Sequence, residues 1–222
     1  MFAFKGGRRL TFVHTSVQEF YSSRYIRGLP EERAKHFYEQ LLSEGRWKSW
    51  RQELLFLEQM DGHRVRKYFT LPDLRLAVAY IKNEDDAEIA SREKALVYLS
   101  SLSVKKSYRT SDQIWSYNVV VKPDRPSLQA LDALDARIFG ILFSNSPEFP
   151  SWRIGFDNNP TSFVRSYEEI SSDRGNKFRE ILIQKTVLLL TNINVRMESL
   201  EQEIIAADQV STFDSLDDIF DV

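Results

Sequence analysis

The chain has 222 residues, 42% of them hydrophobic and 13% aromatic, enough for one or two packed domains. It contains no cysteine, and His14, His36 and His63 are its only histidines, so disulfide frameworks and thiolate metal sites are excluded and no metal-ligand spacing is present. The formal net charge of −2 hides an asymmetry: residues 1–67 carry 13 Lys/Arg against 8 Asp/Glu, whereas residues 198–222 carry 8 acids and no base, so the two ends are suited to attract each other or separate partners.

The longest apolar run, around Thr186 to Leu190, falls far short of the roughly 20 residues a membrane-spanning helix needs. The N-terminal residues lack the apolar stretch and cleavage site of a signal peptide. A soluble, cytoplasmic chain without membrane contact is the expectation.

In chain order, Phe2 and Phe4, then Lys5-Gly6-Gly7-Arg8, then alternating Leu10, Phe12 and His14 predict a β-hairpin, because paired glycines tolerate the positive φ of a tight turn. Ser16-Val17-Gln18-Glu19 has the form of a capping box and predicts a helix from Val17, with Val17, Phe20, Tyr21 and Tyr25 at helical spacing. Gly28 and Pro30 predict its end through a left-handed cap. Amphipathic helices come next on Ala34, Phe37, Tyr38, Leu41 and Leu42, on Trp50, Leu54, Leu57 and Met60, on Leu74, Ala77, Val78 and Ile81, and on Ile89, Ala95, Leu96, Leu99 and Leu102.

Residues 106–125 break the helical rhythm and read as a loop with room for one short strand. Leu128, Leu131, Leu134, Ile138 and Leu142 predict a further helix, followed by a loop with Pro147, Pro150, Trp152 and Pro160 that reads as a subdomain seam. A long helix is predicted from about Asn176 to Ala207, because Ile183, Thr186, Leu190, Ile193, Met197, Leu200 and Ile204 alternate steps of three and four. That seam packs either on the chain's own body, the favoured reading, or on another protomer. The tail Phe213 to Val222 reads either as a short partner-binding helix or as a disordered acidic segment.

Phe12-Val-His14-Thr-Ser16-Val-Gln18-Glu19-Phe20-Tyr21-Ser-Ser-Arg-Tyr25-Ile26 resembles the signature near the end of the winged-helix domain in NACHT-type NTPases of the STAND class. It departs at Val17, where that family usually has Phe or Leu, and at Ser22 and Ser23, where alanine is usual. Arg46-Trp47-Lys-Ser-Trp50 and the helix after it resemble the segment that often comes next in that family. The resemblance covers residues 1–60.

The expected fold is mainly α: a short N-terminal β-hairpin, which the resemblance makes a winged-helix remnant, followed by the packed helices and the long C-terminal helix that the apolar spacing predicts. Three regions are expected: 1–28, which the resemblance makes the end of the winged helix, and, from the helical spacing, 29–125 as a helical domain and 126–222 as a second helical block for sensing or interaction with an acidic tail. On this reading the chain is the regulatory part of a bacterial defence or signalling NTPase. His14 contacts the β-phosphate of ADP in the closed state, since an imidazole can donate to a phosphate oxygen; the alternative for His14 is a strand-end residue bonded to backbone.

No G-x-x-x-x-G-K-[ST] phosphate loop occurs in the sequence, so no enzymatic activity is expected of this chain alone. ADP or ATP would be shared with a nucleotide-binding domain in cis or in trans. The expected partners are that domain, an unidentified protein trigger and a second copy of the chain. Nucleic acid is not expected, because the basic run Arg64 to Lys67 is short and reads as a solvated helix surface. The acid pairs Asp85-Asp86 and Asp217-Asp218 read as solvated rather than catalytic. The rival to the switch reading is a free-standing helical interaction scaffold with no nucleotide dependence.

Overall fold

A computed structural model describes residues 2–5, 9–12, 15–82, 91–109, 114–121, 125–143, 163–166 and 175–220. Those residues are mainly helical, and no helix among them is long and apolar enough to cross a membrane. The chain divides into two compact units, Met1–Arg75 with Arg196–Val222, and Leu76–Val195.

In the first unit, strands β1 (Phe2–Lys5) and β2 (Arg9–Phe12) pair antiparallel with Phe2 opposite Phe12. Helix α1 is Thr15–Arg27, so Ser16 lies inside the first turn and not at the N-cap expected for a helix starting at Val17. The helix ends through Gly28 N–H bonds to the carbonyls of Arg24 and Tyr25, with Arg24 and Arg27 in the last turn, where cations meet the negative end of the helix dipole. Gly28 is not left-handed, contrary to expectation. A left-handed glycine instead follows helix α2 (Glu31–Ser43): Gly45 (φ 63°), whose N–H bonds to the carbonyl of Leu42.

A short tight turn, Arg46–Trp50, leads into helix α3 (Arg51–Val65), which is kinked at Asp61 (φ −152°, ψ 45°) immediately before Gly62. A π-helical turn, Arg66–Thr70, carries it into helix α4 (Leu71–Lys82). Ile26, Ala34, Tyr38, Leu41, Trp47, Leu54, Leu57, Val65 and Phe69 form one core. Ile26 of α1 and Leu54 of α3 both belong to it. Ser23 explains the closeness of α1 and α3: it is fully buried and its hydroxyl reaches the Glu19 carbonyl (2.8 Å) and the Glu53 carbonyl (3.1 Å).

In the second unit, helix α5 (Arg92–Ser100) is capped by Ser91, whose side chain accepts from the Lys94 N–H. Residues 106–125 are not simply a loop. Strands β3 (Ser103–Arg109) and β4 (Ile114–Val120) pair antiparallel over their full lengths, and β5 (Phe163–Ser166) adds to the other edge of β3. Backbone pairing, which the polar run conceals, outweighs the weak apolar alternation there. Helix α6 (Gln129–Phe143) buries Leu131, Leu134, Ile138 and Leu142, as the spacing predicts. The Pro147 to Pro160 segment, expected to be a seam, lies outside the described residues.

Helix α7 runs Asn176–Phe220, well past the expected end at Ala207. Phe178, Leu182, Ile183 and Leu190 enter the second core with Ala77, Leu99, Leu131 and Ile138. Thr186, fully buried in the same stripe, donates to the Leu182 carbonyl at 2.8 Å and so leaves no polar cost. The seam is thus used within the chain.

Candidate functional site

His14, the one residue expected to touch nucleotide, lies outside the described residues, between the end of β2 at Phe12 and the start of α1 at Thr15. Asp85 and Asp86 also lie outside them, whereas Asp217 and Asp218 fall on the backbone of α7. Among the described residues, no cluster of three or more His, Cys, Asp or Glu could hold a metal ion.

What the fold brings together is the charge asymmetry. Within the first unit, the acidic stretch of α7 lies antiparallel to the run from α3 to the start of α4. Glu201 Oε1 is 2.9 Å from Arg75 Nε, Glu203 Oε2 is 3.7 Å from Arg66 Nη1, and Asp208 takes Lys67 Nζ on Oδ2 at 2.7 Å and His63 Nε2 on Oδ1 at 2.9 Å. The Lys67 hydrogen bond first, and that of His63 after it, hold the Asp208 carboxyl below its ordinary range, against an opposing effect of desolvation. Gly62 contributes room, because a Cβ there would stand 3.0 Å from Arg66 Nη2, the guanidinium shared between Glu58 and Glu203.

These pairs are solvent-facing; the side chains of His63 and Asp208 are 43% and 41% exposed. Each such pair contributes only about 0–1 kcal/mol and weakens in salt. Leu200 and Ile204, one turn apart, are the buried apolar residues of this stretch of α7. The basic run read as a solvated surface is therefore an occupied one: Arg64 pairs with Glu31 and Asp61 and donates to the Leu29 carbonyl, while Arg66 and Lys67 hold α7. The signal that could have found this was the segregation of charge between the chain's ends.

The first core also buries polar atoms of Tyr38 and Asp61. Tyr38 is fully buried, and its hydroxyl has no hydrogen-bond partner among the described residues. Burial, then the Asp61 carboxylate, pushes the Tyr38 phenol far above its usual value, and burial also raises Asp61 against the pull of Arg64. Asp61 Oδ2 keeps an ionic contact with Arg64 Nε at 3.3 Å.

The second unit holds a buried charge network. Arg125 Nη1 donates to Asp135 Oδ2 at 2.6 Å, Arg125 Nη2 donates to the Tyr98 hydroxyl at 3.1 Å, and Tyr98 donates to Asp135 Oδ1 at 2.6 Å. Arg125 is 3% exposed and Asp135 10%. Burial raises the Asp135 carboxyl even though Tyr98 and Arg125 pull it down, and burial raises the Tyr98 phenol. Every member of the network is satisfied by another, so its chemistry is that of a structural clasp joining the middle of α6, through Asp135, to Tyr98 of α5 and to Arg125.

Comparison of the chain with protein-family models, with curated proteins and with solved structures gives no match.

Proposed function

We propose that this chain is the regulatory part of a NACHT-type STAND signalling NTPase acting in defence or signalling in the cytoplasm. A nucleotide-binding domain, in cis or in trans, would supply the phosphate loop, and His14 would donate to the β-phosphate of ADP in the closed state. In this reading β1, β2 and α1 are the closing hairpin and last helix of a winged-helix domain.

The observation that carries the reading is the Phe12 to Ile26 signature together with the burial of Ser23. The resemblance calls for a small residue at that position, and here the small residue is what lets α1 close on α3. A helical body would then come directly after the histidine that senses nucleotide.

Recognition of a protein trigger would favour the open state only through contacts made better there than in the closed state, and ADP would oppose it by the same logic. The test is calorimetric titration of ADP into the chain combined with a candidate nucleotide-binding domain, with His14 intact and with His14→Ala.

A second reading, the nucleotide-independent scaffold, is favoured by one observation. The Asp208 contacts and the Arg125 network are satisfied by this chain's own side chains, without a phosphate. ADP affinity unaffected by His14→Ala would favour it.

A further inference from the structure

The acidic segment of α7 shows what the face formed by His63, Arg66, Lys67 and Arg75 accepts: a helix with carboxylates at 201, 203 and 208 and buried apolar residues at 200 and 204. A helix held merely for packing need not carry one sign of charge, yet residues 198–222 contain 8 acids and no base. The contacts holding it are mostly exposed ion pairs, the class of contact most easily exchanged for another of the same kind.

We infer that this face is a docking surface for an acidic amphipathic helix of a partner protein, and that the chain's own α7 segment occupies it as a displaceable strap. The strap sets the chemistry of the partner: two apolar residues four apart, as Leu200 and Ile204 are, flanked on both sides by carboxylates. A polyphosphate backbone supplies the charge and lacks the apolar anchors, so an acidic peptide fits better than nucleic acid. A second copy's strap is identical to the one already tethered, and tethering gives the resident segment an effective concentration in the millimolar range, which a free copy does not match. A partner helix with more carboxylates or larger anchors overcomes that advantage. The inference is independent of nucleotide and stands or falls apart from the role of His14.

The experiment uses a fluorescein-labelled synthetic peptide of residues 196–222, followed by anisotropy with the full chain and with the full chain carrying Glu201→Gln, Glu203→Gln and Asp208→Asn, each checked for folding by circular dichroism. The loosened triple variant is expected to bind the peptide at least about 10-fold more tightly than the unaltered chain, because its own strap competes less. Binding should weaken as salt rises from about 50 to about 500 mM, and should be lost when Arg66→Glu and Lys67→Glu are added. Absence of saturable binding to the folded triple variant, or binding indifferent to Arg66→Glu and Lys67→Glu, would overturn the inference. So would a duplex oligonucleotide that binds this variant where the peptide does not, which would make the face a nucleic-acid surface. Light scattering that shows a dimer of the unaltered chain, lost in the triple variant, would assign the face to a second copy and overturn it likewise.

Discussion

The Lys67 ammonium lies 2.7 Å from Asp208 Oδ2, although 141 positions separate the two residues. The contact joins the basic first third of the chain to its acidic end within one compact unit. His63 takes the other carboxylate oxygen, so one carboxylate ties the kinked end of α3 and the π-helical turn after it to α7.

Because Asp208 is held below its ordinary value of 3.8, its contribution to stability has a definite sign. A depressed carboxylate stabilises the folded state fully above its unfolded value, and loses that contribution as pH falls through the lower folded value. The stability difference between the unaltered chain and Asp208→Asn is expected to shrink as pH falls below about 5 and to vanish in stronger acid, and to stay within about 1 kcal/mol because the pair is exposed. Urea denaturation across that range measures it; a difference growing towards acid would contradict the assignment.

Ser23→Ala removes one hydroxyl from the contact of α1 with α3 and should cost about 0.5–1.5 kcal/mol. Ser23→Leu forces a larger, branched side chain into a fully buried position and should cost more than the alanine variant, about 1–3 kcal/mol or above. Equal effects in chemical denaturation would show that α1 and α3 are not closely packed there.

The clasp in the second unit has little tolerance for losing one member. Asp135→Ala leaves the Arg125 guanidinium buried without its carboxylate and should destabilise by about 3–5 kcal/mol. Tyr98→Phe keeps the ion pair and should cost less, about 1–3 kcal/mol. The order of the two midpoints is the check.

Tyr38→Phe is expected to be neutral or stabilising by up to about 1–3 kcal/mol, since it deletes a buried hydroxyl that no described residue satisfies and keeps the ring that fills the core. A loss of stability on this change would reveal that the hydroxyl bonds an ordered water.

Much of the helical architecture was legible because its signal is local. The steps of three and four through Leu131, Leu134, Ile138 and Leu142, and through Ile183, Thr186, Leu190, Leu200 and Ile204, mark the residues that are buried. Three features were not legible. The ladder of β3 with β4 is carried by backbone pairing along a polar stretch, where side-chain alternation is faint. The kink at Asp61 and the π-helical turn at Arg66–Thr70 are local departures from regular α-helix, which an apolar period of 3.6 residues does not encode. The left-handed cap is at Gly45 and not at Gly28, because a glycine followed by proline marks where a helix stops and does not fix the sign of φ. The face formed by His63, Arg66, Lys67 and Arg75 was half legible: segregated charge said that the ends attract, and folding chose the pairs.

The central claim is that His14 senses nucleotide, and calorimetric titration of ADP into the chain combined with a candidate nucleotide-binding domain tests it most directly. A hydrogen bond from an imidazole to a charged phosphate contributes about 1.5–3 kcal/mol, so His14→Ala should weaken ADP binding roughly 10- to 150-fold while circular dichroism and complex formation stay unchanged. Unaltered ADP affinity in an intact complex would contradict the claim.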